Sequence, residues 1–288
     1  MFPVFGGCFS FDLVLAPSFP VKSINPPCVR FPLNKDIPVY HYDGSALTPA
    51  QVHTVKEFPL KLLVNERELA TLVASPHDLR FLVAGFLRLQ GFVKTLDDFV
   101  MFSVCNDFGI ANIRIKGELP DKLRPILTSG CGTGITFTLP GAEEGAKVTR
   151  PCNLKFSPEA LFNLMDDLAR RAEQYRSHGG IHSAAVGDGE DLLLYAEDLG
   201  RHNTVDRIAG EALFKGMDLS GKVLVTSGRV SSEMVAKSSL LGIDLIASRT
   251  SPTDMAVQIS DQLGITLIGY VRGRKFNVYS HPQRITIP

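Results

Sequence analysis

The sequence lacks a close pair of cysteines, a net charge and a long apolar run, and each absence excludes something. Its five cysteines, at 8, 28, 105, 131 and 152, are odd in number and far apart. Such spacing supplies neither a disulfide framework nor a four-ligand zinc site, so reduced thiols in a cytoplasmic protein are expected. Thirty basic and thirty acidic side chains cancel. That balance argues against sequence-independent nucleic-acid binding but leaves room for a local basic site. No uninterrupted apolar stretch approaches the ~20 residues that span a bilayer, so no membrane association is expected. The opening MFPVFGGC has no basic segment and only seven residues before Cys8, too few for an export signal.

What is present is globular in composition. The 288 residues are 44% hydrophobic and 21% charged, which suits one large domain or two of ordinary size. Seven of the eighteen prolines fall in the first 38 residues. Proline fixes φ and removes a donor, so residues 1–44 are expected as a proline-rich N-terminal extension, either an extended arm or a stretch ahead of the true start. Regular structure is expected from near Val55, where FPLKLLVNERELATLVA reads as two strands about a turn at Asn65-Glu66-Arg67. Three Ser-Pro pairs, Ser75-Pro76, Ser157-Pro158 and Ser251-Pro252, predict helix starts near 76, 158 and 252. The second helix is expected to run to Gly179-Gly180.

Residues 45–150 hold more strand-like segments and one clear helix, which predicts a smaller α+β domain. From 158 onward apolar strands alternate with helical stretches near 203–215, 232–241 and 252–263. The strands are HSAAV (or a helix start), DLLLYAE, KVLVTSG, DLIAS and ITLIGYV. That alternation predicts an α/β layered domain over residues 151–288.

Five stretches carry more polar or special residues than packing requires. TSGCGTG (128–134) sets Cys131 among glycines, either as a reachable thiol or as filler in a tight turn. GGIHSAAV carries His182, a pocket residue or a satisfied buried histidine. AEDLGRHNTVDR (196–207) gathers Glu197, Asp198, Arg201, His202, Asn203 and Asp206, more than helix capping needs. VTSGRVSSEMVAKSSLLG puts Ser227, Gly228 and Arg229 between a strand and a helix, a common anion-binding geometry. GYVRGRKFNVY reads as a hairpin with Arg272, Arg274 and Lys275 around Gly273, either a solvated tip or a phosphate site.

Together, EDLGRHNTVDRI, TSGRVSSEMVAKSSLLGI, SPTDMAV and RGRKFNVYSHPQRI resemble the formate dehydrogenase accessory sulfurtransferases, the FdhD proteins. VNERELATLVASPHDLRFLVAGFL and TSGCG fit the same family, and the likeness covers roughly residues 55 to 285. The resemblance implies a cytidine-deaminase-like fold, a cytoplasmic homodimer and a sulfurtransferase activity needed by formate dehydrogenase. It implies that sulfane sulfur is accepted from a cysteine desulfurase as a persulfide. The sulfur then passes to the molybdenum cofactor in its bis(guanine dinucleotide) form, a bound substrate, with no metal held by the protein itself. Cys131 falls at the persulfide position. Tyr270, Val271, Arg272, Gly273, Arg274 and Lys275 fall at the cofactor-binding stretch, with Ser227, Gly228, Arg229 and His202 as further contacts. Glu197, Asp198, Arg201 and Asn203 are candidates for the pocket wall or for dimer contacts.

The residue chemistry agrees with that resemblance. Sulfur transfer needs a thiolate that attacks a donor persulfide and a terminal sulfur that an acceptor can reach. Cations or a helix N-terminus raise the thiolate fraction, and glycines at 130, 132 and 134 leave room for a partner. One departure stands out: many family members carry Cys-x-x-Cys here, and this chain has Gly134 in the second position. A non-catalytic cofactor-binding chaperone is therefore the alternative reading. Zinc deamination is not expected, because His182-Ser183-Ala184 lacks the glutamate of H-x-E and no Cys-x-x-Cys exists.

Overall fold

The computed structural model describes residues 34–120, 126–127, 135–136 and 155–287. Cys131 with its loop, and the boundary expected near Pro151, lie outside the described residues. Among the described residues no helix is long and apolar enough to cross a membrane.

Strands β1 (Asn34–Tyr42) and β2 (Leu47–Val55) pair antiparallel as a two-stranded ribbon. Asp43 builds its turn, with Oδ1 accepting the N–H groups of Ser45 (2.9 Å) and Ala46 (3.0 Å). Regular structure therefore starts well before Val55, and the boundary expected at residue 44 falls on the tip of this hairpin. The prolines did not forbid a strand here because a two-stranded ribbon has two free edges, where a missing N–H costs nothing. Pro38 and Pro49 both lie in it.

Next come β3 (Phe58–Val64), β4 (Arg67–Ala74), α1 (Leu79–Leu89), β5 (Phe99–Cys105) and β6 (Ile110–Ile115). They form a four-stranded sheet in the order β4-β3-β6-β5, with β3 and β6 parallel. The expected hairpin is present. Its central residues Asn65 and Glu66 both have positive φ, 48° and 65°, the conformation whose twist suits a two-residue β-turn. Alternate residues Leu60, Leu62 and Leu72 face α1 and pack against Leu82, Val83 and Phe86. The helix begins at Leu79 with Asp78 as its N-cap, not at Pro76. Ser75 is not its cap because its hydroxyl accepts the N–H of Leu199 at 3.2 Å, far along the chain. Short strands β7 (Ile126–Leu127) and β8 (Ile135–Thr136) pair antiparallel, with TSGCGTG between them in sequence.

The remaining elements are α2 (Pro158–Arg171), α3 (Glu173–His178), β9 (His182–Gly187), β10 (Leu192–Asp198), α4 (Arg201–Lys215) and β11 (Val223–Thr226). They continue as α5 (Ser232–Leu240), β12 (Leu245–Ser248), α6 (Asp254–Gln262), β13 (Thr266–Arg272) and β14 (Lys275–Ser280). HSAAV is thus a strand. The six strands lie in the order β10-β9-β11-β12-β13-β14, with β11, β12 and β13 parallel and the other pairs antiparallel. Successive side chains in a strand point to opposite faces, and the core divides accordingly. Ala184, Val186, Leu224, Ile246 and Leu267 pack with α4 and α5, while Ala185, Val223, Val225, Leu245 and Ile268 pack with α2.

Of the three Ser-Pro starts, Ser157 alone works as expected, its Oγ accepting the Ala160 N–H at 3.1 Å. Thr253, not Ser251, caps α6, because the Ser251 carbonyl accepts the N–H of Val230 in a bridge between segments. The helix α2 also stops at Arg171. Ala172 leaves helical geometry before α3, which ends at Gly179 with φ 70°. The two sheet units meet where α1 crosses α4. Gly85 and Gly210 lie at that crossing, and a methyl on either would overlap the carbonyl oxygen of Asp206 or Phe81 on the facing helix.

Candidate functional site

The polar stretches come together at one edge of the six-stranded sheet, where β10, β11, β12 and β13 end and β9 and β14 begin. Strand ends at such an edge leave short loops whose side chains are not needed by the core, a common setting for ligand sites in α/β sheets.

The EDLGRHN segment is the most buried part. Asp198 is fully buried, and its Oδ2 accepts from both Nε (2.8 Å) and Nη2 (2.6 Å) of Arg207. Its Oδ1 accepts from the Gly200 N–H and from Asn203 Nδ2. Arg207 also donates to the carbonyls of Ser75 and His77, and Asn203 to that of Val73. Asp198, Asn203 and Arg207 thereby tie the start of α4 to the end of β4. Glu197 accepts the N–H groups of Gln174 and Tyr175, which holds α3 in place.

A second buried group lies under the start of α5. Lys237 Nζ sits 2.9 Å from Asp206 and 3.2 Å from Glu233, and His202 Nδ1 lies 3.2 Å from the other oxygen of Glu233. Burial pushes Asp206 up to about 6 despite Lys237. Burial opposes the charge on Lys237, but Asp206 and Glu233 outweigh it and raise its pKa. Burial pushes His202 down to about 3, overriding the pull of Glu233, so this imidazole is neutral near pH 7. His182 is also held below its usual value, by burial and then by the Arg201 guanidinium.

The Ser227-Gly228-Arg229 turn is knitted into the sheet. Ser227 N–H donates to the Ser183 carbonyl (2.9 Å), and Gly228 N–H donates to Thr226 Oγ1 (3.1 Å). These two N–H groups are occupied, so the turn does not offer them to an anion; Arg229 is exposed. Gly228 sits in a tight place, where a Cβ would stand 3.0 Å from Arg201 Cβ and 3.4 Å from His182 Nδ1. The structure therefore brings His182, Arg201 and Gly228 into contact, while His202 is buried below them.

The basic hairpin stands further along the same edge. Tyr270, Gly273 and Arg274 have positive φ, 56°, 59° and 57°, and a register shift between Gly269 and Arg272 pushes Tyr270 outward. Val271 is buried and anchors the strand, leaving Arg272, Gly273, Arg274 and Lys275 exposed. The Arg272 guanidinium lies 5.4 Å from the Tyr270 ring centre, and that of Arg274 lies 5.2 Å from the Phe162 ring centre. A cavity of about 180 Å³ is lined by Phe162, Met165, Asp166 and residues 271–274.

A neighbouring cavity of about 200 Å³ has Met165, Leu168 and Ala172 on one wall and Tyr175, Ser183, Ser227 and Arg249 around it. The sequence reading did not single out Tyr175, Ser183 or Arg249. Arg249 had one visible signal: it directly follows the apolar strand DLIAS, at the same edge as the Ser227 turn. Cys131 lies outside the described residues, so its distance from these groups is not part of this geometry.

A mixed α/β protein with a basic hairpin and cavities along one sheet edge is the class this architecture defines. The chain belongs to the FdhD/NarQ family, whose model matches residues 55–286. It is similar to Sulfur carrier protein FdhD of Bacillus subtilis (strain 168), with 35% identity over 251 residues, 86% of this chain and 95% of that one. It is also similar to Sulfur carrier protein FdhD of Staphylococcus aureus (strain MRSA252), with 33% identity over 261 residues, 88% of this chain and 98% of that one. A crystal structure from Desulfotalea psychrophila, of a protein described as a candidate formate dehydrogenase accessory protein, shares the fold. Its TM-score is 0.72 at 24% identity, covering 88% of this chain and all of that one.

Proposed function

We propose that this protein is a cytoplasmic sulfur carrier for the molybdenum bis(guanine dinucleotide) cofactor of formate dehydrogenase. The observation that carries the reading is family membership over residues 55–286, with near-full-length relatives named as sulfur carriers. In the first step a Cys131 thiolate attacks the outer sulfur of a persulfide on a cysteine desulfurase. A new S–S bond forms on Cys131, the donor's S–S bond breaks, and the donor cysteine leaves as a thiolate that takes up a proton. In the second step the S–S bond on Cys131 breaks, the cysteine returns as a thiolate, and the outer sulfur passes to the cofactor as substrate, with the two electrons that bring it to sulfide level supplied by a thiol reductant. The exposed cations Arg272, Arg274 and Lys275, backed by the adjoining cavity, suit its phosphates because guanidinium pairs with phosphate in a two-pronged geometry. A homodimer and a cytidine-deaminase-like layering complete the reading; the latter is supported by the mixed six-stranded sheet with helices on both faces.

A second reading is favoured by Gly134, which leaves Cys131 without a partner thiol in the loop. The protein would then be a chaperone that binds the cofactor without sulfur chemistry. Complementation separates the two. In cells lacking this protein, the wild-type gene restores formate dehydrogenase activity; Cys131→Ala fails to do so if the protein carries sulfur and succeeds if it is a chaperone.

A further inference from the structure

Side chains alternate between the two faces along β9. Ser183 and Ala185 face α2, whereas Ala184 and Val186 pack with α4 and α5. His182 is on the α4 side, beside Arg201 and Gly228. It therefore lies on the opposite face of the sheet from the cavities along α2.

Below His182 runs a chain of buried ionisable groups that neither sulfur-transfer step uses. Asp206 and Glu233 hold Lys237 between them, and the second oxygen of Glu233 stands 3.2 Å from His202 Nδ1. The side chains of His202 and Glu233 are 7% and 3% exposed. Apolar residues of similar volume often serve a fold as well as a buried ionic group does, so packing alone does not account for this one.

The neutral His202 ring carries a single proton. A lone pair facing the Glu233 carboxylate would be repelled, so the proton sits on Nδ1 and Nε2 is the acceptor. Nε2 is buried and, among the described residues, has no hydrogen-bond partner. A carboxylate behind one ring nitrogen and an open lone pair on the other is how a third group orients a histidine base. His182 is half-buried. Burial and then Arg201 hold its pKa down, with Asp198 pulling the other way, so it is neutral near pH 7. The two rings are close enough to feel each other's charge.

We infer that His182 takes the proton from the thiol that accepts sulfur, and that Glu233 and His202 are the positioning pair behind it. The inference rests on the proposed sulfur-carrier reading and deepens it. The thiol's S–H bond breaks as an N–H bond forms on His182, and the thiolate attacks the donor's outer sulfur. The donor's S–S bond then breaks, and its thiolate takes the proton back from His182; no oxidant or reductant enters this step. His202 Nε2, as an acceptor, favours the His182 tautomer that turns its N–H inward and its lone pair outward.

The test is the rate at which the reduced full chain gains sulfur from glutathione persulfide, a donor that brings no second protein's titration. Intact mass follows it from pH 5.5 to 8.5, with Cys131→Ala as background. His182→Ala should load about 10²- to 10⁴-fold more slowly, and added imidazole should restore much of the rate, which the loss of a structural contact would not allow. If His182→Ala melts lower than the wild type, His182→Gln, which keeps the size but not the base, takes its place in the rate comparison. Nitrogen-15 shifts of the wild-type histidine rings should put the His202 proton on Nδ1. The inference is overturned by a substituted His182 that keeps the wild-type rate and pH profile, by a slow His182→Ala of wild-type melting temperature that imidazole does not restore, or by a His202 proton on Nε2. In those cases the sulfur-carrier reading stands. If the wild type takes sulfur neither from this donor nor from a desulfurase, both fall.

Discussion

Arg207 grips Asp198 with two nitrogens, Nε at 2.8 Å and Nη2 at 2.6 Å, and both side chains are almost wholly out of water. The same guanidinium holds the carbonyls of Ser75 and His77, so one ion pair joins β10, α4 and the loop after β4. Removing one partner strands the other charge in a low-dielectric interior. Arg207→Leu is therefore expected to lower unfolding free energy by about 3–5 kcal/mol, measured by urea titration. A loss below 1 kcal/mol would mean that this junction opens to water.

The α1–α4 crossing gives a sharper steric test. Gly85→Ala places a methyl against the backbone carbonyl of Asp206, which cannot rotate away as a side chain would. Overpacking usually costs about 1–3 kcal/mol, and a backbone clash belongs at or above the upper end. Soluble yield and thermal melting should both fall. Gly216→Ala, with nothing within 4 Å but a φ of 61°, should cost less, about the 1 kcal/mol of a strained left-handed residue.

Acid should destabilise the protein from near pH 6.5 downward. His77 and His202 are pushed down to about 3, in both cases chiefly by burial. A group with a depressed folded pKa contributes stability that is present above its unfolded pKa and lost as pH falls toward the folded one. Each histidine removes about 1.4 kcal/mol per pH unit in that window. Asp206 acts the other way. Its pKa is raised to about 6, so it favours the folded state below about pH 4 and loses that contribution as pH rises through 6. Two histidines against one aspartate leave a net loss on acidification. Urea midpoints at pH 7.5 and pH 5 should show it, and His202→Gln should flatten the dependence. A higher midpoint at pH 5 would contradict this.

The helix caps predict a contrast between look-alike sequences. Ser157→Ala removes the side-chain bond to the Ala160 N–H and should cost about 1 kcal/mol. Ser251→Ala removes no cap, because Thr253 holds that place, and should cost a few tenths. Chemical denaturation of the two variants checks the difference.

That contrast shows which parts of the fold were legible in the sequence. Apolar runs revealed every strand from β10 to β13 and left β9 open between a strand and a helix start, since burial on two sheet faces leaves a local signature. The Asn65-Glu66 turn was equally local. Ser75 and Ser251 carried the same Ser-Pro signal as Ser157, yet their oxygens bond to Leu199 and Val230, partners no local pattern can reveal. The density of charge in EDLGRHN drew attention for function. In the structure, Asp198 and Asn203 reach back to residues 73–75 across more than a hundred positions, so part of that density belongs to the joining of two sheets. Arg249 and Tyr175 line a cavity only because separate elements meet there, and single residues after a strand or within a short helix carry no pattern of their own.

The persulfide on Cys131 is the central claim, and intact mass tests it most directly. The reduced protein is incubated with a cysteine desulfurase and cysteine, then weighed alongside Cys131→Ala and a family member carrying Cys-x-x-Cys. The account predicts a sulfur-sized increment on the wild type that reductant removes and that Cys131→Ala lacks. Folded wild-type protein that gains no sulfur, while the Cys-x-x-Cys relative loads normally, would contradict it and make Gly134 the residue that ended sulfur transfer in this chain.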